Sequence, residues 1–207
     1  MSLQADDTGR GHAYRGGAVR CTPTKELLPL MPITVGDSVP SIQAPTYVRG
    51  RSNAPLMGPA DHRGRWVVLV FYPRDFTFVC PTELAELADL APAFMDESAA
   101  VMAVSTDSWF THRRWFEDDP LLAGVGYPVL ADTAHELARA FGVLEEDGTC
   151  RRGTFVIDPQ GIVRHATISD GAVGRSAAET LRVLCALRTG ELCPASWQPG
   201  EPTLIAA

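Results

Sequence analysis

Residues 67–84 of this chain read VVLVFYPRDFTFVCPTEL, an apolar and largely β-branched run followed by a short loop, a cysteine and a proline. The run from Trp66 to Tyr72 predicts a buried strand. Pro81 predicts that a helix begins beside Cys80, because the first helical residue needs no backbone N–H donor. We therefore expect Cys80 at a strand-to-helix junction, close to the N-terminus of the helix.

This position favours the ionised form of the Cys80 thiol. Unpaired N–H groups and the positive end of the helix dipole stabilise a nearby anion. The thiolate is the nucleophilic form of cysteine. On the junction alone, a buried and unreactive cysteine that fills the helix entry is an equally good interpretation.

The neighbours of Cys80 favour peroxide chemistry over disulfide exchange. The residues three positions before and after it are Thr77 and Glu83, so it has no partner in a Cys-x-x-Cys pair. Oxidation by a peroxide would leave a sulfenic acid without an adjacent thiol. A resolving thiol must then come from elsewhere or from solution.

The pattern Pro73-x-x-x-Thr77-x-x-Cys80 resembles the active-site signature of the peroxiredoxins. Residues 75–83 (DFTFVCPTE) resemble the version in two-cysteine peroxiredoxins of the alkyl hydroperoxide reductase type. The resemblance covers residues 33–200 and implies a thioredoxin-like α/β fold, with a central mixed β-sheet flanked by helices. Three later segments continue it: residues 152–158 (RGTFVID), 173–176 (VGRS) and 190–197 (GELCPASW).

The hydrophobic pattern agrees with an α/β fold. Strands alternate with helices first, an antiparallel strand pair follows and a helix comes last, which indicates a mixed sheet. The predicted strands are residues 66–72, 100–105, 154–158 and 162–168, with a short edge-like segment at 127–130. The predicted helices are residues 82–96, 109–117, 133–141 and 177–187.

Peroxide reduction by a thiolate forms an S–O bond as the O–O bond breaks, so the site must stabilise charge on the leaving oxygen. By resemblance, Arg152 is the arginine that faces the peroxidatic cysteine, Cys80. Its guanidinium is always protonated and would hold both the thiolate and a peroxide oxygen. From composition alone, a solvated arginine is the better interpretation.

Three further residues are candidates for supporting roles. The Thr77 hydroxyl can donate and accept, so it would bond the thiolate and the peroxide; a turn or N-cap hydroxyl is the alternative. Pro73 has no N–H and would close over Cys80 to limit water, or it simply ends the strand. Glu83 is expected in the first helical turn, as a supporting network residue and not a catalyst.

Cys193 lies in a Gly- and Pro-flanked segment after the last predicted helix. By resemblance, it is the resolving cysteine, and in the family this cysteine serves the partner subunit. The resemblance thus implies an intersubunit disulfide between Cys80 of one chain and Cys193 of the other in a homodimer. A ring of dimers, such as a decamer, is a further family expectation. A tail cysteine without a role is the alternative.

The remaining cysteines and two histidines have simpler interpretations. Cys185 falls among leucines on a predicted helix and indicates a buried apolar role. Cys150 precedes two arginines, so a lowered pKa and an alternative disulfide form a minor hypothesis. Cys21 lies in the N-terminal segment and suggests no role. His112 and His135 are expected to be packing or surface residues.

Composition excludes several classes of function. The chain has 207 residues and a formal net charge of −7, which disfavours nucleic acid and anionic membranes as partners. No apolar run approaches the roughly 20 residues of a membrane-spanning helix, and no secretory signal is apparent. Five dispersed cysteines without zinc-ligand spacing predict a cytoplasmic protein with reduced thiols, no metal and no cofactor.

We expect a disordered tail at residues 1–30, a peroxiredoxin domain at 31–190 and a C-terminal tail at 191–207; a true start at Met31 is an open alternative. Family members sensitive to overoxidation carry a Gly-Gly-Leu-Gly-like loop and a C-terminal helix with a Tyr-Phe pair. The counterpart loop here is residues 123–126 (AGVG), and the chain ends without that pair. We expect resistance to overoxidation.

The leading hypothesis is an antioxidant thiol-dependent peroxidase that reduces hydrogen peroxide and organic hydroperoxides. Thioredoxin or a dedicated disulfide reductase would return the electrons. Two alternatives stay open: one-cysteine turnover with an external thiol, and a role as a redox relay or a ring-forming holdase chaperone.

Overall fold

The computed structural model describes residues 31–205, so the predicted N-terminal tail and Cys21 lie outside the described residues. The described part contains seven strands and five α-helices. The strands are β1 Ala44–Tyr47, β2 Leu56–Met57, β3 Trp66–Phe71, β4 Ala99–Ser105, β5 Val129–Ala131, β6 Arg152–Ile157 and β7 Val163–Ser169. The α-helices are α1 Cys80–Asp89, α2 Ala91–Asp96, α3 Trp109–Asp118, α4 Glu136–Ala140 and α5 Ala177–Thr189.

The strands form one mixed sheet in the order β2-β1-β5-β4-β3-β6-β7. Strand β3 pairs parallel with β4, and β4 pairs parallel with β5. The other neighbours pair antiparallel. The predicted α/β class with a central mixed sheet is therefore confirmed.

Alternating side chains of β3 pack on the two faces of the sheet. Val68 and Val70 face the core that includes Leu84 of α1, whereas Leu69 and Phe71 face the core beneath α4. Both faces are covered, which explains why the strand reads as a continuous apolar run without polar alternation. Helix α1 follows the carboxyl end of β3 and thus begins at one rim of the sheet.

Three sequence predictions differ from the structure. The helix expected over residues 82–96 is two helices, because Pro92 has no N–H to donate to the carbonyl of Ala88. The segment expected at an edge contains β5, which lies between β1 and β4 inside the sheet. The helix expected over 133–141 is limited to Glu136–Ala140, preceded by His135 with φ of 59°.

Strands β1 and β2 were not predicted. Both are short, and the segment that contains them carries Pro45 and Pro55, which are uncommon within sheets. Their pairing with each other and with β5 depends on long-range contacts that the local sequence does not reveal. Among residues 31–205, no helix is long and apolar enough to cross a bilayer.

Candidate active site

Cys80 is the first residue of α1 and is 1 % exposed. Pro81 follows it in the first turn, where its missing N–H costs no hydrogen bond. The Thr82 hydroxyl donates to the carbonyl of Val79 at 2.7 Å, which fixes the backbone just before the cysteine. The sulfur therefore lies inside the protein, at the positive end of a helix dipole.

Strand β6 brings Arg152 to this sulfur. The strand pairs antiparallel with β3, with Thr154 opposite Val70, so its first residue lies beside the last residues of β3. The Nη1 nitrogen of Arg152 is 3.4 Å from Sγ of Cys80, and its Nε donates to the carbonyl of Gly171 at 2.9 Å. The arginine side chain is 4 % exposed. A fixed, water-poor cation thus faces the thiol.

Glu83 holds that arginine in place. Its Oε2 accepts from Arg152 Nη1 at 2.5 Å, and its Oε1 accepts from the backbone N–H and the Nε of Arg175, each at 2.8 Å. The carboxylate is therefore shared by two guanidinium groups; Glu83 and Arg152 are buried, and Arg175 is largely buried, with 9 % of its side chain exposed. A buried carboxylate with this many donors is fully satisfied, which offsets the cost of its desolvation.

Arg175 is a site residue that the sequence analysis missed. It bridges Glu83 to the start of β6, because its Nη1 also donates to the carbonyl of Gly153 at 2.8 Å and to the Thr154 hydroxyl at 3.1 Å. Arg175 lies in residues 173–176, which resemble the peroxiredoxins. That resemblance was the available signal, but it was not used to give the arginine a role.

Gly153 explains why a glycine follows Arg152. A Cβ atom at this position would lie 2.8 Å from Cγ1 of Val143 and 3.0 Å from a ring carbon of Phe155. Both neighbours belong to the buried core, so a side chain would push β6 away. Gly153 therefore lets β6 pack closely enough to place Arg152 beside Cys80.

The loop between β3 and α1 places Pro73 and Thr77 near the helix start. The Thr77 hydroxyl donates to the carbonyl of Arg74 at 3.0 Å, so in this structure it serves a turn and makes no hydrogen bond to the sulfur. Pro73 is half-buried directly after β3. Phe76 adopts a left-handed φ of 54°, which is uncommon for a bulky residue and marks a loop held by its surroundings.

Asp75 connects this loop to the protein interior. Its two carboxyl oxygens bind the Tyr72 hydroxyl at 2.7 Å and Nδ1 of His112 at 2.8 Å. The other imidazole nitrogen donates to the carbonyl of Leu130 at 3.2 Å. Burial raises the pKa of Asp75, and the hydrogen bond to His112 partly offsets the shift. His112 is thus a packing residue, one of the two roles expected for it. The local sequence did not indicate its polar partners.

Cys193 lies four residues beyond the end of α5 and is half-buried. Its thiol donates to the carbonyl of Ala186 at 3.7 Å and lies 3.5 Å from the Thr189 hydroxyl. Both Cys80 and Cys193 are free thiols in this single chain. The structure therefore does not bring these two predicted site residues together within one subunit.

The lowered pKa expected for Cys150 is wrong, whereas the alternative disulfide stays a prediction. The thiol is 1 % exposed and lies in the core beneath α4. Burial raises its pKa, and the negative charges of Asp132 and Asp107 add to the shift. Cys185 is half-buried on α5, and burial raises its pKa as well.

A protein-family model described as the AhpC/TSA family matches residues 35–166. The chain belongs to this family. As a peroxiredoxin, it is an enzyme that reduces peroxides with a cysteine thiol.

Named relatives and solved structures of peroxiredoxins cover most of the chain. A thioredoxin peroxidase from Fasciola hepatica is 46 % identical over 154 residues, which are 70 % of this chain and 79 % of that protein. The alkyl hydroperoxide reductase C of Mycobacterium tuberculosis is 40 % identical over 184 residues, 84 % of this chain and 94 % of that protein. The reduced 2-Cys peroxiredoxin of Plasmodium vivax superposes with a TM-score of 0.77 at 32 % identity, covering 83 % of this chain and 93 % of that one.

Proposed function

We propose that Cys80 is the peroxidatic cysteine and that Arg152 positions the peroxide on it. The observation that carries the proposal is the 3.4 Å approach of Arg152 Nη1 to Sγ of Cys80 at a helix N-terminus. The thiolate attacks one peroxide oxygen, the S–O bond forms and the O–O bond breaks. The second oxygen leaves with a proton as water or an alcohol, and its developing charge is stabilised by the guanidinium.

The other site residues have supporting roles in this proposal. Glu83 and Arg175 fix the position of Arg152, and Pro73 limits the access of water to Cys80. The Thr77 hydroxyl keeps free acceptor capacity while it donates to Arg74, so it accepts a hydrogen bond from the bound peroxide. Hydrogen peroxide and organic hydroperoxides are the substrates.

We propose further that Cys193 of the partner subunit resolves the sulfenic acid as an intersubunit disulfide in a homodimer. One observation supports this step: Cys80 and Cys193 are both free and have different neighbours in the single chain, Arg152 for Cys80 and the end of α5 for Cys193. Because Cys80 is 1 % exposed, the first turn of α1 must open before a second sulfur reaches disulfide distance. Dimers of this kind then assemble into a ring.

Recycling requires an external dithiol. We propose thioredoxin or a dedicated disulfide reductase as the electron donor, a role consistent with the name of the Fasciola hepatica relative. We also propose a reducing compartment such as the cytoplasm, because the five cysteines are dispersed along the sequence without a Cys-x-x-Cys pair. We also propose a catalytic domain at residues 31–190, followed by a tail that carries Cys193.

The test follows the reduced protein after one equivalent of hydrogen peroxide by non-reducing gel and mass spectrometry. The parent should form a covalent dimer that links Cys80 to Cys193, and both Cys80→Ser and Cys193→Ser should abolish it. Cys185→Ser, which removes a half-buried thiol on α5, is the matched control and should form the dimer normally. If peroxide turnover with thioredoxin survives Cys193→Ser, an external thiol resolves Cys80 and the intersubunit step is wrong.

A further inference from the structure

The Cys193 thiol faces the C-terminal end of α5. Helix α5 ends at Thr189, and Gly190 turns the chain back with φ of 67°, so that the sulfur returns to the carbonyl of Ala186 at 3.7 Å. The last carbonyls of a helix carry partial negative charge. A thiol can donate to such a carbonyl, whereas a thiolate is repelled by it. An attacking thiolate at this position therefore needs compensating groups.

The Thr189 hydroxyl is one such group. Its Oγ1 lies 2.8 Å from the carbonyl of Ala186 and 3.5 Å from Sγ of Cys193, and it accepts the backbone N–H of Glu191 at 3.1 Å. The hydroxyl has a single hydrogen, which can point to the carbonyl or to the sulfur. When the thiol loses its proton, a rotation of this hydrogen from the carbonyl to the sulfur gives the thiolate a donor.

Arg182 is the second group. It lines, together with Cys193, a groove of about 480 Å³ beside the end of α5. Its Nη1 donates to the carbonyl of Trp197 at 2.9 Å, and its other nitrogens bind Glu179 at 2.7 Å each. The hydrogen bonds to Glu179 raise the pKa of Arg182, and negative charge on the Cys193 sulfur adds to the shift. The guanidinium thus lies in the same groove as the Cys193 sulfur.

Other charges near the groove do not replace this cation. Glu191 lines the groove with negative charge, and Glu179 is already paired with Arg182. His165 of β7 lies near that pair, and burial lowers its pKa, which disfavours its charged form. Arg188 in the last turn of α5 is paired with Glu97. Arg182 is therefore the cation that the described residues offer to Cys193.

We propose that Thr189 and Arg182 are positioning residues that activate Cys193 for the resolving step; this rests on the proposed role of Cys193. The hydroxyl gives the thiolate a hydrogen bond, and the guanidinium supplies charge and holds the following segment through Trp197. In the step, the Cys193 sulfur forms the S–S bond as the S–O bond of the Cys80 sulfenic acid breaks. The hydroxide leaves and takes a proton to become water. Cys193 is oxidised and Cys80 is reduced.

The experiment measures the alkylation rate of Cys193 by iodoacetamide between pH 6 and pH 10 in a Cys80→Ser background, with peptide mapping to separate the other thiols. Thr189→Val and Arg182→Gln should each slow alkylation at pH 7 about fivefold to tenfold and move the midpoint of the profile to higher pH. The rate at the alkaline plateau should stay unchanged. Thr189→Ser should restore the parent profile, and Arg188→Gln is the control that should match the parent.

A second measurement keeps Cys80 and follows disulfide formation after a peroxide pulse by rapid quench. The same two variants should slow disulfide formation by a similar factor, while the rate of peroxide consumption in the first turnover stays that of the parent. Alkylation profiles that do not move in either variant overturn the inference, provided that far-UV circular dichroism shows the fold intact. A parent that forms no disulfide overturns the proposed function instead, and the alkylation data still decide whether these residues activate Cys193.

Discussion

The Glu83 carboxylate binds the same guanidinium nitrogen of Arg152 that faces the Cys80 sulfur, at 2.5 Å on one side and 3.4 Å on the other. One nitrogen therefore has an acidic partner and a thiol as neighbours. The Glu83 carboxylate fixes the position of the Arg152 guanidinium. Its negative charge also partly offsets the positive charge of that guanidinium. The reactivity of Cys80 should thus depend on a residue that never touches the peroxide.

Replacing Glu83 tests this dependence. Glu83→Gln keeps the shape of the side chain and removes its charge, so Arg152 and Arg175 lose their shared anion and shift. We expect the rate constant for the reaction of Cys80 with hydrogen peroxide to fall roughly tenfold to a hundredfold, measured by stopped-flow tryptophan fluorescence. Asp89→Asn, which removes an exposed carboxylate at the other end of α1, should leave the rate unchanged. An unaltered rate in Glu83→Gln would refute the role of the carboxylate.

Arg175 should matter more for stability than an exposed arginine does. Arg175→Met leaves acceptors on Glu83, Gly153 and Thr154 without their donor, and we expect a loss of about 2–4 kcal/mol in the free energy of unfolding. Urea denaturation followed by circular dichroism measures it. Arg164→Met is the comparison, because Arg164 pairs with Asp158 while about half exposed, at 48 %. Its loss should stay below about 1 kcal/mol, and equal losses would contradict the prediction.

The buried thiol of Cys150 predicts a loss of stability at alkaline pH. The folded state raises its pKa well above its ordinary value of 9.0, so above that pH the unfolded chain releases a proton that the folded chain keeps. Stability therefore falls as pH rises, by up to about 1.4 kcal/mol per pH unit from this group. Urea midpoints between pH 8 and pH 10.5 should decline less steeply in Cys150→Ala than in the parent. Parallel slopes would show that the thiol does not contribute.

A change in the aromatic cluster on the α4 face should lower stability without changing the rate of catalysis. The ring of Phe141 lies 5.3 Å from that of Phe71 and 4.8 Å from that of Phe155. Phe141→Leu keeps the position apolar and removes two ring contacts, so we expect a loss of about 1–2 kcal/mol in stability. Thermal unfolding measures this loss. The peroxide rate constant should equal that of the parent, because Cys80 packs on the opposite face; a slower reaction would link the two faces.

Much of the fold could be predicted from local sequence. The apolar run of β3 and the periodic helices α3 and α5 lie close to their predicted positions, because burial alone produces those patterns. Strands β1 and β2 could not be predicted in this way, since Pro45 lies in β1, Pro55 precedes β2, and the strands are defined by the pairing of β1 with β2 and with β5. The break between α1 and α2 was foreseeable in principle, because Pro92 was visible in the sequence.

The site likewise contains residues that could be placed from the sequence and contacts that could not. Cys80 and Pro81 could be placed from the helix start itself, and Arg152 only through the resemblance of its segment to the family. The contact between Asp75 and His112 joins residues 37 positions apart, and the second arginine on Glu83 joins residues 92 apart. No periodicity encodes such contacts, because they depend on how α3 and the loop between β7 and α5 pack against the rim where α1 begins.

The burial of Cys80 also determines which molecules in a cell can reach its sulfur. A molecule as small as hydrogen peroxide needs little room beside a sulfur that is 1 % exposed, whereas a protein disulfide or a bulky electrophile cannot approach it without deforming α1. A highly nucleophilic thiol at the surface would react with such disulfides and electrophiles. In the proposed mechanism, the closed fold would thus select small peroxides over bulky electrophiles by size, independently of any group that recognises the oxidant.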